Sequence, residues 1–77
     1  MKIFSFNVKG LCDPSKAKNV KEWLRQQENF DAVVLTEVKC AGEALIQRLT
    51  SIDNQLTWIV FAHCQGAMGV ACGLKSN

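Results

Sequence analysis

The chain is 77 residues long, 48% hydrophobic and 21% charged, with a net charge of +2 at neutral pH. That length allows one small domain, which buries only about 60% of its unfolded surface, and the apolar content excludes a disordered chain. The mild positive charge permits nucleic-acid binding without requiring it. The longest apolar run, Trp58 to Ala62, is far short of the roughly 20 residues that span a bilayer. At the N-terminus, Asn7 and Lys9 interrupt the apolar stretch before a signal-peptide core can form. The expectation is therefore an intracellular protein, nuclear or cytoplasmic, with no membrane partner.

Lys2 to Val8 is rich in β-formers, and Ile3, Phe4, Phe6 and Val8 cover both faces, as in a strand buried by layers on each side. A loop follows, in which Asp13 suits an N-cap and Pro14 the first helical position. Ala17, Val20, Trp23 and Leu24 then follow the helical spacing, which predicts a helix over Lys16 to Gln27. Lys16, Lys18, Lys21 and Arg25 gather on that helix. They read either as a solvated face or as a patch turned toward phosphates.

Asp31 to Leu35 is a continuous apolar run and predicts a second strand, with Glu37 just beyond it. Gly42 to Ile52 predicts a second helix, with Leu45, Leu49 and Ile52 on one face and Ile46 beside them, stopped by Asp53-Asn54. Trp58 to Ala62 predicts a third strand and Val70 to Leu74 a fourth. The short turn Gln65-Gly66-Ala67-Met68-Gly69 between them favours an antiparallel hairpin. Gly66, Gly69 and Gly73 match no dinucleotide or Walker phosphate loop, and no helix follows them.

The four cysteines, Cys12, Cys40, Cys64 and Cys72, lack the two-to-four-residue pairing of zinc modules. Free thiols are the expectation. His63 and Cys64 are adjacent, which points them to opposite faces of a strand. His63 reads as a strand-end residue rather than a catalytic base.

A strand, a helix and a second strand make a β-α-β unit, which brings both strand ends to one edge of the sheet. Ligands of open α/β sheets bind outside the carboxyl ends of strands. Asn7 and Glu37 should thus face one crevice. Mg²⁺ takes oxygen ligands, keeps several waters and often needs only one or two carboxylates plus substrate phosphate. A strand-end glutamate is enough to begin such a site, although taken alone it is more often an ordinary solvated carboxylate. Asn7, by the same token, could be a turn-forming strand end.

The segments Ser5-Phe6-Asn7-Val8-Lys9-Gly10-Leu11 and Val34-Leu35-Thr36-Glu37-Val38-Lys39 resemble the endonuclease/exonuclease/phosphatase superfamily of metal-dependent phosphodiesterases, which includes apurinic endonucleases. The stretch Lys16 to Leu24 looks most like the endonuclease domains of non-LTR retrotransposons. The resemblance covers essentially the whole chain but only the N-terminal portion of that family's domain. It implies that Glu37 is a Mg²⁺ ligand, Asn7 a catalytic amide orienting substrate or metal, and Lys39 a supporting lysine behind the glutamate. Gly69-Val70 would begin a core strand behind the site.

Two positions depart from the family's wording: Thr36 stands where a glutamine is common, and Phe6 where a tryptophan is. The family's later motifs, an Asp-x-Asn strand and a water-activating Asp-His pair, would lie beyond Asn77. The fold expected is α/β, a mixed sheet with two helices on one face in the order β-α-β-α-β-β, as an incomplete piece of a four-layered sandwich. One sheet face would then expose the apolar side chains that a second sheet covers. The function implied is Mg²⁺-dependent hydrolysis of phosphodiester bonds, with DNA the expected partner and this chain alone inactive. The alternative is a small non-catalytic α/β module that binds a protein or RNA partner.

Overall fold

The computed structural model describes residues 1–27, 29–61 and 69–75. The elements run β1 (Ile3–Asn7), α1 (Pro14–Arg25), β2 (Ala32–Thr36), α2 (Gly42–Ile52), β3 (Leu56–Phe61) and β4 (Val70–Lys75). The fold is α/β: one mixed sheet in the order β1-β2-β4-β3, with two helices. β1 and β2 are parallel, and β4 lies antiparallel between β2 and β3. The expected hairpin pairing of the last two strands is present. Its turn (residues 65–68), the strand end Ala62, and His63 and Cys64 all lie outside the described residues.

Period-2 alternation decides what each strand offers the helices. Phe4 and Phe6 of β1, Val33 and Leu35 of β2, and Ala71 of β4 belong to the one core that α1 and α2 complete with Ala17, Val20, Leu24, Leu45, Leu49 and Ile52. Trp23 packs on both phenylalanines, with ring centroids 5.7 Å from Phe4 and 5.0 Å from Phe6. The opposite parity, Ile3, Ser5 and Asn7 with Thr57, Ile59 and Phe61, faces away from that core. Ile3 is 58% and Phe61 63% exposed. The expectation that β1 is buried on both sides is therefore corrected among the described residues: both helices cover the same face.

Several element ends differ from the sequence expectation for local reasons. α1 begins at Pro14, capped by Asp13, whose side chain accepts from the Ser15 N–H at 2.9 Å. It stops at Arg25 rather than Gln27: the last turn tightens, with the Gln26 N–H donating to the Trp23 carbonyl at 3.2 Å and the Gln27 N–H to Leu24 at 3.0 Å, while the Gln27 side-chain amide adds a second bond to the Trp23 carbonyl at 3.2 Å. β2 starts one residue later than expected, at Ala32, with Asp31 still bonded to both neighbours: its N–H donates to the Lys2 carbonyl at 2.8 Å, its carbonyl accepts from the Lys75 N–H at 3.0 Å and its carboxylate accepts from the Lys2 N–H at 2.7 Å. β3 begins at Leu56, two residues early, since the buried Leu56 pairs with Lys75.

Candidate active-site crevice

The parallel register sets Asn7 against Thr36, so the ends of β1 and β2 are level. Pairing continues beyond both strands: Val8 N–H donates to the Thr36 carbonyl at 3.0 Å, Gly10 to Glu37 at 2.9 Å and Leu11 to Val38 at 2.7 Å. Val8, Leu11 and Val38 are buried and anchor the two exit segments in the core. Between these anchors the chain turns outward at Lys9, Glu37 and Lys39, whose φ angles are +50°, +53° and +46°. Left-handed backbone costs a non-glycine residue roughly 1–2 kcal/mol. It persists where surrounding contacts over-determine it, as they do here. Three charged side chains are thereby held out along one edge.

Within that edge the Asn7 side-chain Nδ2 donates a hydrogen bond to Glu37 Oε2. The other end of the amide is fixed as well: Asn7 Oδ1 accepts from the Lys9 N–H at 3.2 Å. A backbone donor can only meet the amide's oxygen, so the NH₂ group is left facing the carboxylate. Lys39 Nζ lies 4.0 Å from Glu37 Oε1, and Lys16 Nζ donates to the Lys9 carbonyl at 3.5 Å. Phe6, Asn7, Val8, Lys9, Lys16 and Asn19 line an open crevice beside the pair. The Lys39–Glu37 contact is half-exposed, so its value is small in energy and larger in positioning.

The structure thus brings Asn7, Glu37 and Lys39 together, and it adds Lys9 and Lys16, which the sequence reading did not single out for this place. The signal was available: Lys9 is two residues beyond Asn7 on the segment that leaves β1. Gly69 also reaches this edge, its carbonyl accepting from the Val38 N–H at 3.2 Å where β4 begins. Its φ of +54° suits a residue without a Cβ.

The expectation of free thiols is overturned for two of the cysteines. Cys12 and Cys40 form a disulfide with Cα atoms 5.2 Å apart, and Cys72 is free. One lies on the segment leaving β1 and the other on the segment leaving β2, so the parallel register that aligns Asn7 with Glu37 also aligns the cysteines. Sequence separation concealed this, because the two cysteines stand 28 positions apart with a helix and a strand between them.

Among the described residues no group of three His, Cys, Asp or Glu side chains could hold a metal ion. Glu37 is the carboxylate at this edge, half-exposed, with an amide on one oxygen. An oxygen-donor set of that size suits a hard cation that keeps its waters, and it suits neither zinc nor a buried cage. No helix among the described residues is long and apolar enough to cross a membrane. Comparison with known protein families, with curated proteins and with solved structures finds no match to this chain.

Proposed function

We propose that the crevice is the first part of a divalent-cation phosphodiesterase site of the endonuclease/exonuclease/phosphatase type, acting on a nucleic acid, with DNA preferred. The observation that carries this reading is the hydrogen bond between the Asn7 amide and the Glu37 carboxylate at the carboxyl edge of two parallel strands. Glu37 would hold Mg²⁺, and Asn7 would orient either the carboxylate or a phosphate oxygen without adding charge. A bound Mg²⁺ would supply charge stabilisation at a phosphoryl oxygen. Lys9 and Lys16 place positive charge beside the crevice, where a phosphodiester would dock, and Lys39 steadies Glu37.

Catalytic groups that act as a unit lose most of their rate when partners are missing. The described residues offer no histidine or second carboxylate at this edge to activate water, so the 77-residue chain is expected to nick plasmid DNA no faster than background. Metal binding is the sharper test. Mn²⁺ added to the labelled chain should broaden the NMR signals of the Asn7 side-chain amide and of residues 36–39 first. Glu37→Gln should weaken that binding by about tenfold or more, because the charge that holds a hard cation is removed. Asn7→Ala should change it little. Broadening centred elsewhere, or unchanged in Glu37→Gln, would overturn the metal role.

The lone carboxylate also favours a second reading, a non-catalytic α/β module for a protein or RNA partner. A chain that binds RNA tightly with no Mn²⁺ response at Glu37 would select it.

A further inference from the structure

The two helices enclose a second groove, away from the crevice. Its lining includes Lys18, Lys21 and Arg25 from α1 and Arg48 from α2, around Ala17, and it holds about 490 Å³. The sequence grouped the α1 cations with Lys16, but the structure divides them. Lys16 turns to the crevice, while Lys18, Lys21 and Arg25 turn to the groove and meet Arg48, 23 positions further along the chain.

Four of the nine Lys and Arg residues of a chain with net charge only +2 therefore line one depression, against the single carboxylate of Glu22. Among the described residues none of the four lies within 4 Å of a carboxylate, the only ion pair there being Lys39–Glu37. Arg48 is held in place by its Nε–H, which donates to the Cys12 carbonyl at 3.1 Å, so its terminal nitrogens are presented rather than free to swing. Asp13, whose carboxyl feels Arg48 among the four, is committed to Ser15 at the start of α1.

We infer that this groove binds the phosphodiester backbone of a nucleic acid without reading its sequence. On a helix rising 1.5 Å per residue, Lys18, Lys21 and Arg25 are spread over about 10 Å. A nucleic-acid strand carries one phosphate per 3.4 Å of axis, so such a row spans about three phosphates. The lining has no aromatic ring for a base to stack upon and no amide side chain to read a base edge. Pro14 is its one exposed apolar side chain, too little to enter a lipid surface. The inference rests on the groove alone and stands whether or not Glu37 holds a metal.

The test is fluorescence anisotropy with labelled oligonucleotides and the 77-residue chain in EDTA, which removes any divalent-ion contribution at Glu37. The combined variant Lys18→Gln, Lys21→Gln, Arg48→Gln should bind at least tenfold more weakly at low salt. It should also lower the slope of log K against log salt by about 2 to 3. The lysines are exposed, and replacement by arginine at Lys18 and Lys21 should preserve binding, which separates charge from folding. Lys2→Gln with Lys75→Gln, neither of which lines the groove, should cost less than the groove variant. Unchanged affinity in the groove variant overturns the inference. So does binding to phosphatidylserine vesicles that outcompetes the oligonucleotides, or a tenfold preference among sequences of equal length.

Discussion

Gly73 shows how much one atom can decide. A Cβ added there would sit 2.8 Å from Cζ3 and 2.9 Å from Cη2 of Trp58. The ring cannot retreat easily, since the Trp58 indole N–H donates to the Asp53 carbonyl at 3.1 Å. Gly73→Ala should therefore cost about 1–3 kcal/mol, read as a lower denaturation midpoint with loss of the Trp58 fluorescence environment. Asp13 gives a pH signature. Its carboxyl is held below the ordinary aspartate range by the Ser15 backbone N–H first and the Ser15 hydroxyl second, with Lys16 and Arg48 adding to the effect. A depressed folded pKa means that the stability is present above the unfolded value and is lost as pH falls through the folded one. Asp13→Asn keeps an acceptor without the charge. Thermal melts should show the parent ahead of it at neutral pH, with the gap closing in acid.

Among the elements, the disulfide couples the segment after β1 to the segment after β2, the same two that carry Asn7 and Glu37. Closing a loop across 28 residues removes unfolded-state freedom worth about 3.5 kcal/mol in the chain-entropy treatment. Reduction, or Cys12→Ser with Cys40→Ser, should lower stability by an amount of that order. Alkylation followed by mass spectrometry should find two thiols protected before reduction. The alignment of Asn7 with Glu37 should survive, because three backbone hydrogen bonds join the same segments independently. If reduction abolishes the Mn²⁺ response at Glu37, the bridge and not the backbone ladder positions the carboxylate.

For the whole molecule, the layer count is the governing fact. Helices cover one face of the sheet, while on the other Ile3 (58%), Ile59 (42%), Phe61 (63%) and Leu74 (39%) remain exposed. Contiguous apolar surface of this kind promotes association. The chain alone should elute as a concentration-dependent oligomer and bind a hydrophobic dye, and Ile59→Lys with Phe61→Lys should shift it toward monomer. A monodisperse monomer with a sharp cooperative melt and no dye binding would mean that this face needs no cover.

The order of elements, the second helix to its exact ends and the parallel pairing of the first two strands were legible in the chain, because hydrophobic period and turn chemistry are local properties. So was the meeting of Asn7 with Glu37, since a β-α-β unit leaves strand ends at one edge whatever the helix contains. Other features depend on pairs of residues distant in sequence, which no local pattern records. The insertion of β4 between β2 and β3, the Cys12–Cys40 bridge and the encounter of Arg48 with the α1 lysines are of this kind. The left-handed turns at Lys9, Glu37 and Lys39 belong with them. Lysine and glutamate have no preference for that conformation, and only the buried anchors Val8, Leu11 and Val38, once packed, hold the backbone there.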